Sequence, residues 1–380
     1  RMRAQIAGLR QAIDNSETGI TMLQTAEGAL EEVNRTLINA RQLAISSANE
    51  AVNDDAMLAA NQQEFDDSLR AIDRIARISN YGTKAILDGS MGANGVAAGD
   101  NLEFISATEK TKSSPVGGFA VEIKVAATHS TVTGKVALTK TLIDSGEQLT
   151  FSEGGKTLNF QTIAGESVET AMNRLEKAVM ASGMKIKMVR LPGSATTPDA
   201  PQFLSFEHQE FGSKHSFQVG SKTSGVLSAQ ADVSDKIQNG DDVSGYIGGE
   251  LGIGNGQVLT GSRPSKVSGL KIRYTGEQAP PPGKMAGSVT LSQNSLVFHI
   301  GPNVDQSTSF ALRSINSKKL GNGVTNESGF RSLNDVDLSE ASLAQDAILI
   351  IDKAINEITA FRGKMGAFQK NDLESNLNYL

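Results

Sequence analysis

The residues best suited to metal or proton chemistry in this 380-residue sequence are four histidines, His129, His208, His215 and His299. The densest grouping sets Glu207 and His208 beside Glu210 and His215. On a strand, Glu207 and His208 point to opposite faces and cannot ligate together. There is no H-E-x-x-H helix pair. Cysteine is absent, which excludes disulfides, thiolate nucleophiles and cysteine-based zinc or iron–sulfur sites. The grouping therefore reads as a solvated loop cluster, and no metal or cofactor is expected. Gly252-Ile253-Gly254-Asn255-Gly256 lacks the G-x-G-x-x-G spacing and the βαβ setting of a dinucleotide loop, so the stretch from Gly248 to Gly256 reads as loop. Neither a G-x-x-x-x-G-K-[ST] loop nor a G-x-S-x-G elbow occurs. Asp66 and Asp67 sit mid-helix, about 100° apart, and cannot share a proton as a catalytic dyad would. No catalytic residue is assigned, and the chain is not expected to be an enzyme.

The elements around these residues follow from where the chain breaks. All nine prolines lie between Pro115 and Pro302, and glycine is likewise concentrated in the middle. Proline breaks helix interiors, and glycine costs about 1 kcal/mol there. Two helical ends therefore flank a turn-rich middle. In the first, Ile6, Leu9, Ile13, Ile20, Leu23, Leu30, Val33 and Leu37 recur at spacings of three, four and seven. That stripe predicts a rod-like helix running to about Ser47. After a turn and cap at Asn53-Asp54-Asp55, a second helix is expected from Ala56 to Ser79, with Leu58, Phe65, Leu69, Ile72 and Ala76 on one face. Asp337 with Glu340 suggests a capping box. It would open a third helix carrying Ala344, Ile348, Ile351, Ile355, Ile358 and Met365, with Leu373 eight residues further on. Three narrow stripes can bury one another as a bundle.

The middle reads as short strands over Phe119–Ala126, Val136–Thr139, Leu158–Gln161, Lys185–Val189, Phe203–Phe206, Leu270–Tyr274 and Leu296–Ile300. One helix, capped by Ser167 and apolar along Val168, Ala171, Met172, Leu175, Ala178 and Val179, interrupts them. Pro280-Pro281-Pro282-Gly283 is a rigid corner or linker. The fold class expected is α+β: a discontinuous long-helix rod, a three-helix coiled-coil-like bundle with a β-hairpin, plus an inserted mainly-β or α+β outer domain. The expected division is 1–115 with 286–380 for the rod and 116–285 for the insert, with a small module at 150–220.

With 36 basic and 42 acidic residues the net charge is −6, which argues against nucleic-acid binding. The longest strongly apolar run, Ala347–Ile351, is far short of the roughly 20 residues that span a bilayer. What stands out instead is uncharged polar helix surface: Asn34, Asn39, Gln42, Ser46, Ser47 and Asn49 on the first helix, and Asn61, Gln62 and Gln63 on the second. Such faces can serve as lateral contacts between identical subunits.

The run from Leu9 to Gly89 closely resembles the amino-terminal rod segment of bacterial flagellin. Its resemblance rests on Gly19-Ile20-Thr21-Met22-Leu23-Gln24-Thr25-Ala26-Glu27-Gly28-Ala29-Leu30, Arg41-Gln42-Leu43-Ala44-Ile45, Ser47-Ala48-Asn49 and Ile72-Asp73-Arg74-Ile75-Ala76. Ser332 to Ser339, Ala347 to Asn356 and Arg362 to Gln369 resemble the carboxy-terminal rod helix of the same family. Phe298 to Asn303, with Ser307 to Leu312, resembles a flagellin β-hairpin. Thr170 to Val219 is loosely similar to a flagellin-type IN module, with Asn173-Arg174 where the family often has Ile-Asn.

The resemblance implies a self-assembling structural subunit of the flagellar filament, secreted to the extracellular bacterial flagellum and serving motility. The alternatives are a hook-filament junction protein of the same superfamily and a flagellin whose outer domain binds a ligand. The implied partners are further flagellin subunits, an export chaperone, the filament cap and a vertebrate innate immune receptor, with no nucleic acid and no membrane. The family's inner-tube segments are expected to lie outside this sequence, leaving it soluble and monomeric. For the subunit or receptor surface, Leu43 and Glu64 match contact positions. Asn39 stands where recognised flagellins carry an arginine, with Arg41 half a turn away. An amide in place of a planar cation implies weaker receptor activation. Absence of cysteine fits export through a narrow channel.

Overall fold

The computed structural model describes residues 2–51, 53–190, 197–324, 326 and 328–379. It is an α+β chain in which a discontinuous bundle of long helices carries a mainly β insert. Its α-helices are α1 (Met2–Ser47), α2 (Asp55–Ile78), α3 (Lys140–Asp144), α4 (Val168–Ala181), α5 (Ala341–Phe368) and α6 (Ser375–Tyr379). At 1.5 Å per residue α1 is about 69 Å long. Leu23, Ala26, Leu30, Val33, Leu37, Ala40 and Ala44 are fully buried along it. Toward its start the stripe opens: Leu9, Ile13 and Ile20 are half-buried and Ile6 is exposed. Four α1 threonines, Thr18, Thr21, Thr25 and Thr36, donate their hydroxyls to the carbonyl four residues back, which satisfies them without leaving the helix.

Asn53 Nδ2 donates to the carbonyls of Ser46 and Asn49, closing α1, and Asp54 Oδ1 accepts from Met57 N (2.8 Å), opening α2. The cap at Asp54 and the buried face Phe65, Leu69, Ile72 and Ala76 match expectation, although Leu58 is only half-buried.

The start of α5 differs from expectation. Glu340 is its N-cap residue but makes no side-chain cap bond, and Asp337 accepts from Ser339 N instead. The capping box forms earlier, between Ser332 and Asp335, around a 3₁₀ turn. Gln62 Oε1 of α2 holds Leu338 N at 2.7 Å, so the chain is still crossing α2 where the box was expected. The α5 stripe is also shifted: Ala344, Ile351, Ile358 and Met365 are buried as expected, Ile348 and Ile355 are only half-buried, and Ala347, Ile350, Ala354, Phe361 and Phe368 are buried as well. After Phe368 the helix continues as a π-turn, Gln369–Glu374, which brings Leu373 back to the core. A π-turn inserts one extra residue, and this accounts for the eight-residue step from Met365 to Leu373.

The helical core closes against Ile86, Leu87, Phe310, Leu312 and Ile315. A hairpin, Leu296–His299 paired with Ser307–Phe310, lies against it. The chain leaves this core at Gly92 and returns at Asn294, whose N–H bonds the Gly92 carbonyl (3.1 Å). Everything between belongs to an eight-stranded antiparallel sheet or to what that sheet carries. Its strand order is Ala93–Ala98, Gly287–Gln293, Phe119–Val125, Ser244–Ile247, Glu250–Asn255, Val258–Gly261, Lys271–Tyr274, Leu102–Ser106. Residues 93–115 and 286–293, expected with the helices, thus supply strands to this sheet.

A second insertion sits inside the first. The chain leaves the sheet at Thr128 and returns at Asp241, with Thr128 N bonding the Asp241 carbonyl (3.0 Å) and Asp241 N bonding Thr128 Oγ1 (2.8 Å). Between them lie a three-stranded sheet, a four-stranded sheet, α3 and α4. Their common core includes Phe151, Phe206, Leu175 and Val179. Ser167 caps α4, and its buried face is Val168, Ala171, Met172, Leu175 and Val179. Arg174 pairs with Glu166 and stacks over Phe160.

Two strand expectations fail here. Val136–Thr139 forms no strand, because Thr139 caps α3 and only Leu138 bridges to Gln202. Phe203–Phe206 is displaced to Ser205–Phe211. In the large sheet, the glycine-rich stretch expected as loop is the strand Glu250–Asn255, hairpinned through Gly248-Gly249 at positive φ. A Cβ on Gly254 would stand 1.8 Å from the Val243 carbonyl oxygen. These glycines mark close backbone approach within a sheet rather than a flexible turn.

Candidate assembly surface

The four residues singled out in the sequence do not form one cluster. Arg41 turns inward, and its guanidinium grips Asp352 of α5 twice, Nε to Oδ1 at 2.6 Å and Nη2 to Oδ2 at 3.3 Å. Leu43 is half-buried against the helical core. Asn39 is exposed on the side of α1 away from Arg41, since two residues turn a helix by about 200°. Glu64 is exposed on α2. Because Asn61 Nδ2 bonds Ser47 Oγ (3.0 Å) across the antiparallel α1–α2 pair, Glu64 lies close to the level of Leu43 along the bundle.

Much of the polar surface read from the sequence is internal. Ser47 is buried, Asn61 bonds it, and Gln62 joins Asp66 to Leu338 N. Asn34 Oδ1 is buried without a hydrogen-bond partner. The α1–α5 seam is further pinned by Arg362 on Glu27 (2.6 Å), while Arg313 holds Glu357 (3.0 Å) from the loop side. Asp73 accepts from both Ser317 N and Ser317 Oγ. What remains outside is Asn39, Gln42 and Ser46 on α1 and Asn49 just past its end, together with Ile38 at 42% and Ile45 at 46% exposure. Ile38, Gln42 and Ile45 follow a four-three step and share one face. The two isoleucines escaped the sequence reading because they fall off the buried stripe. That offset, an apolar pair in step with an amide but out of step with the core, was the signal available.

The histidine grouping is more ordered than a solvated loop. His208 lies on a strand and is 1% exposed. Its Nδ1 meets the Glu210 backbone, N at 3.0 Å and O at 3.2 Å, and its Nε2 faces Glu153 at 3.6 Å. His215 stacks on it at 5.0 Å between centroids and reaches Glu210 Oε2 at 3.1 Å. Burial opposes ionisation of Glu210, but Lys185 and the two histidines outweigh it and hold the carboxyl below its ordinary range. Glu207 pairs with Lys187 (3.0 Å) on the opposite face, as strand alternation requires. His299 offers its carbonyl to Asn15. Among the described residues no three His, Cys, Asp or Glu side chains are placed to hold a metal ion, and no helix is long and apolar enough to cross a membrane.

Residues 1–91, which hold α1 and α2, match the family model of the bacterial flagellin N-terminal helical region. A flagellin of Halalkalibacterium halodurans is 39% identical over 112 residues, 30% of this chain and 41% of that protein. The chain thus spans about two fifths of that relative. A flagellin of Salmonella rubislaw is 25% identical over 396 residues, covering 97% of this chain and 76% of its own. Among solved structures, that of FliC from Burkholderia pseudomallei covers 93% of this chain and 99% of its own at 16% identity and a TM-score of 0.31. A likeness that loose carries no argument.

Proposed function

We propose that this chain is a flagellin, a structural subunit of the bacterial flagellar filament, self-assembling and serving swimming motility. The observation that carries the reading is the coincidence of the matched region, residues 1–91, with the α1–α2 pair that presents Ile38, Gln42 and Ile45 outward. An exposed apolar pair framed by amides suits a contact made partly dry and partly by hydrogen bonds. In this reading the subunit is exported, and its partners are copies of itself, an export chaperone and the filament cap. The helical bundle plays the rod, and the two nested insertions face outward.

The test is immunogold labelling in the source bacterium, combined with Ile38→Lys and Ile45→Lys in the full-length gene. Label along the whole filament is expected, with short or absent filaments and lost swimming in the double variant, and unchanged helix content in the purified protein. Label confined to the hook–filament boundary would replace this reading with that of a junction protein. Full-length filaments from the double variant would remove this face from the assembly.

We also propose that Leu43 and Glu64 contribute to a surface read by a vertebrate innate immune receptor, and that Asn39 weakens it. Asn39 and Glu64 are exposed, whereas Leu43 is half in the core. In a reporter-cell assay Asn39→Arg should raise potency and Leu43→Ala should lower it. Equal potency of all three proteins would contradict the proposal.

A further inference from the structure

Where the two insertions meet the helical bundle there is a cleft of about 390 Å³, within the size range of small-molecule sites. One wall comes from the inner insertion through Phe211 and Lys214, one from the large sheet through Val258 and Arg273, and one from the bundle through Val324 and Leu349.

Arg273 is unlike the other arginines described above. Its side chain is 18% exposed, and its charged neighbour is Glu103, the residue opposite it on the adjoining strand, at 3.8 Å. That separation is too long for a hydrogen bond. Among the described residues the guanidinium makes no hydrogen bond, whereas Arg41 and Arg362 are each engaged by a carboxylate at 2.6 Å. Burial pulls the Arg273 pKa down and Glu103 only partly restores it. The bundle makes room for this group: Gly323 sits at positive φ, and a Cβ there would stand 2.1 Å from Arg273 Nη2.

The other charges of the cleft leave Arg273 free to act. Lys185 and His215 are engaged by Glu210. Asp242 is turned to the Ser213 hydroxyl and to the backbone N–H groups of Ser213 and Gly256. Lys214 is exposed at the rim. A planar guanidinium with open donors suits bidentate pairing with a carboxylate. Phe211, Val258, Val324 and Leu349 favour an organic body over a bare inorganic ion, and Gln209, Asn255 and Gln257 offer amides to hydroxyl groups.

We propose that this cleft binds a small hydroxylated organic carboxylate, with Arg273 as its anchor. The inference is independent of the filament reading.

Isothermal titration of the whole chain with D-glucuronate, glucose and inorganic phosphate tests it. Glucuronate should bind with a millimolar or tighter Kd, glucose should give no heat, and phosphate should bind at least about tenfold more weakly, a factor worth about 1.4 kcal/mol. Arg273→Gln should weaken glucuronate at least about tenfold and Lys214→Ala about threefold, the rim cation being exposed. Circular dichroism checks the Arg273 variant. If it fails to fold, Leu349→Trp decides, because the larger ring projects into the cleft from an exposed position and should abolish binding. No binding by glucuronate, equal binding by glucose, phosphate as tight as glucuronate, or wild-type affinity in a folded Arg273→Gln or Leu349→Trp variant would each overturn the proposal.

Discussion

The helical bundle and its nested insertions solve the same burial problem by different means. In the bundle, each helix presents a stripe set by 3.6-residue periodicity, and segments some 300 residues apart in sequence close on one another through Leu30, Leu37, Ile351 and Ile358. In the insertions, neighbouring strands pair as hairpins, as over 148–161 and 244–261, but the large sheet is completed by partners far along the chain, Gly287–Gln293 with Ala93–Ala98 and Lys271–Tyr274 with Leu102–Ser106, and glycine permits the closest approaches. Local pattern therefore specifies the bundle, and non-local pairing specifies the sheets. Each insertion leaves and returns at one hydrogen-bonded pair, Gly92 with Asn294 and Thr128 with Asp241, and the inner one is also joined to the large sheet by Ser213 on Asp242. We infer three units, each with its own core, and the following substitutions probe their separateness.

The largest effects should come from the cores. Phe151→Ala should destabilise the inner insertion by about 3–5 kcal/mol and Leu30→Ala the bundle by about 2–5 kcal/mol. Calorimetry should show each substitution lowering a different transition. A common shift of the entire melt would merge the units. Gly254→Ala comes next, because its Cβ meets a carbonyl that cannot move without breaking the sheet. A loss of about 1–3 kcal/mol, confined to the large sheet, is expected, and hydrogen exchange of 250–261 reads it. A stable variant would return this stretch to the status of loop.

Asp54→Ala should cost about 1 kcal/mol by releasing the Met57 N–H, seen as faster exchange in the first turn of α2. Smaller still is the acid response of the inner insertion. Lys140 and the Gly165 N–H hold Asp144 below its ordinary range. Burial opposes ionisation of Glu166, but Arg174 and the Ile163 N–H overcome it. Carboxyls depressed on folding stabilise above their unfolded values near pH 4 and lose that contribution as pH falls through the lower folded values. The inner transition should accordingly drop below about pH 4, and Glu166→Gln should flatten the drop. An unaltered profile in that variant would remove the pair from the account.

How far the sequence carries follows the same division. α1 is legible from its apolar spacing, and α2 and α4 with their caps as well, because Asp54, Ser167 and the apolar spacing act within a few residues. The opening of α5 was misplaced because Gln62, more than 270 positions away in sequence, takes the Leu338 N–H. The strand at 250–255 looked like loop because its glycines answer to Val243 and Leu259, which the local pattern does not reveal. On the candidate surface, exposure at Asn39 and Glu64 and partial burial of Leu43 fit helix position, whereas the turn of Arg41 toward Asp352 depended on a helix from the far end of the chain.

The most direct measurement joins Gly92 to Asn294 through a short glycine linker, excising 93–293. Those two residues already meet at 3.1 Å, so little backbone movement is needed. The excised protein should show strongly helical circular dichroism and a single cooperative melt that Leu30→Ala lowers. A chain without helix content or without cooperative melting would contradict the claim that the bundle is a unit of its own carrying an insert.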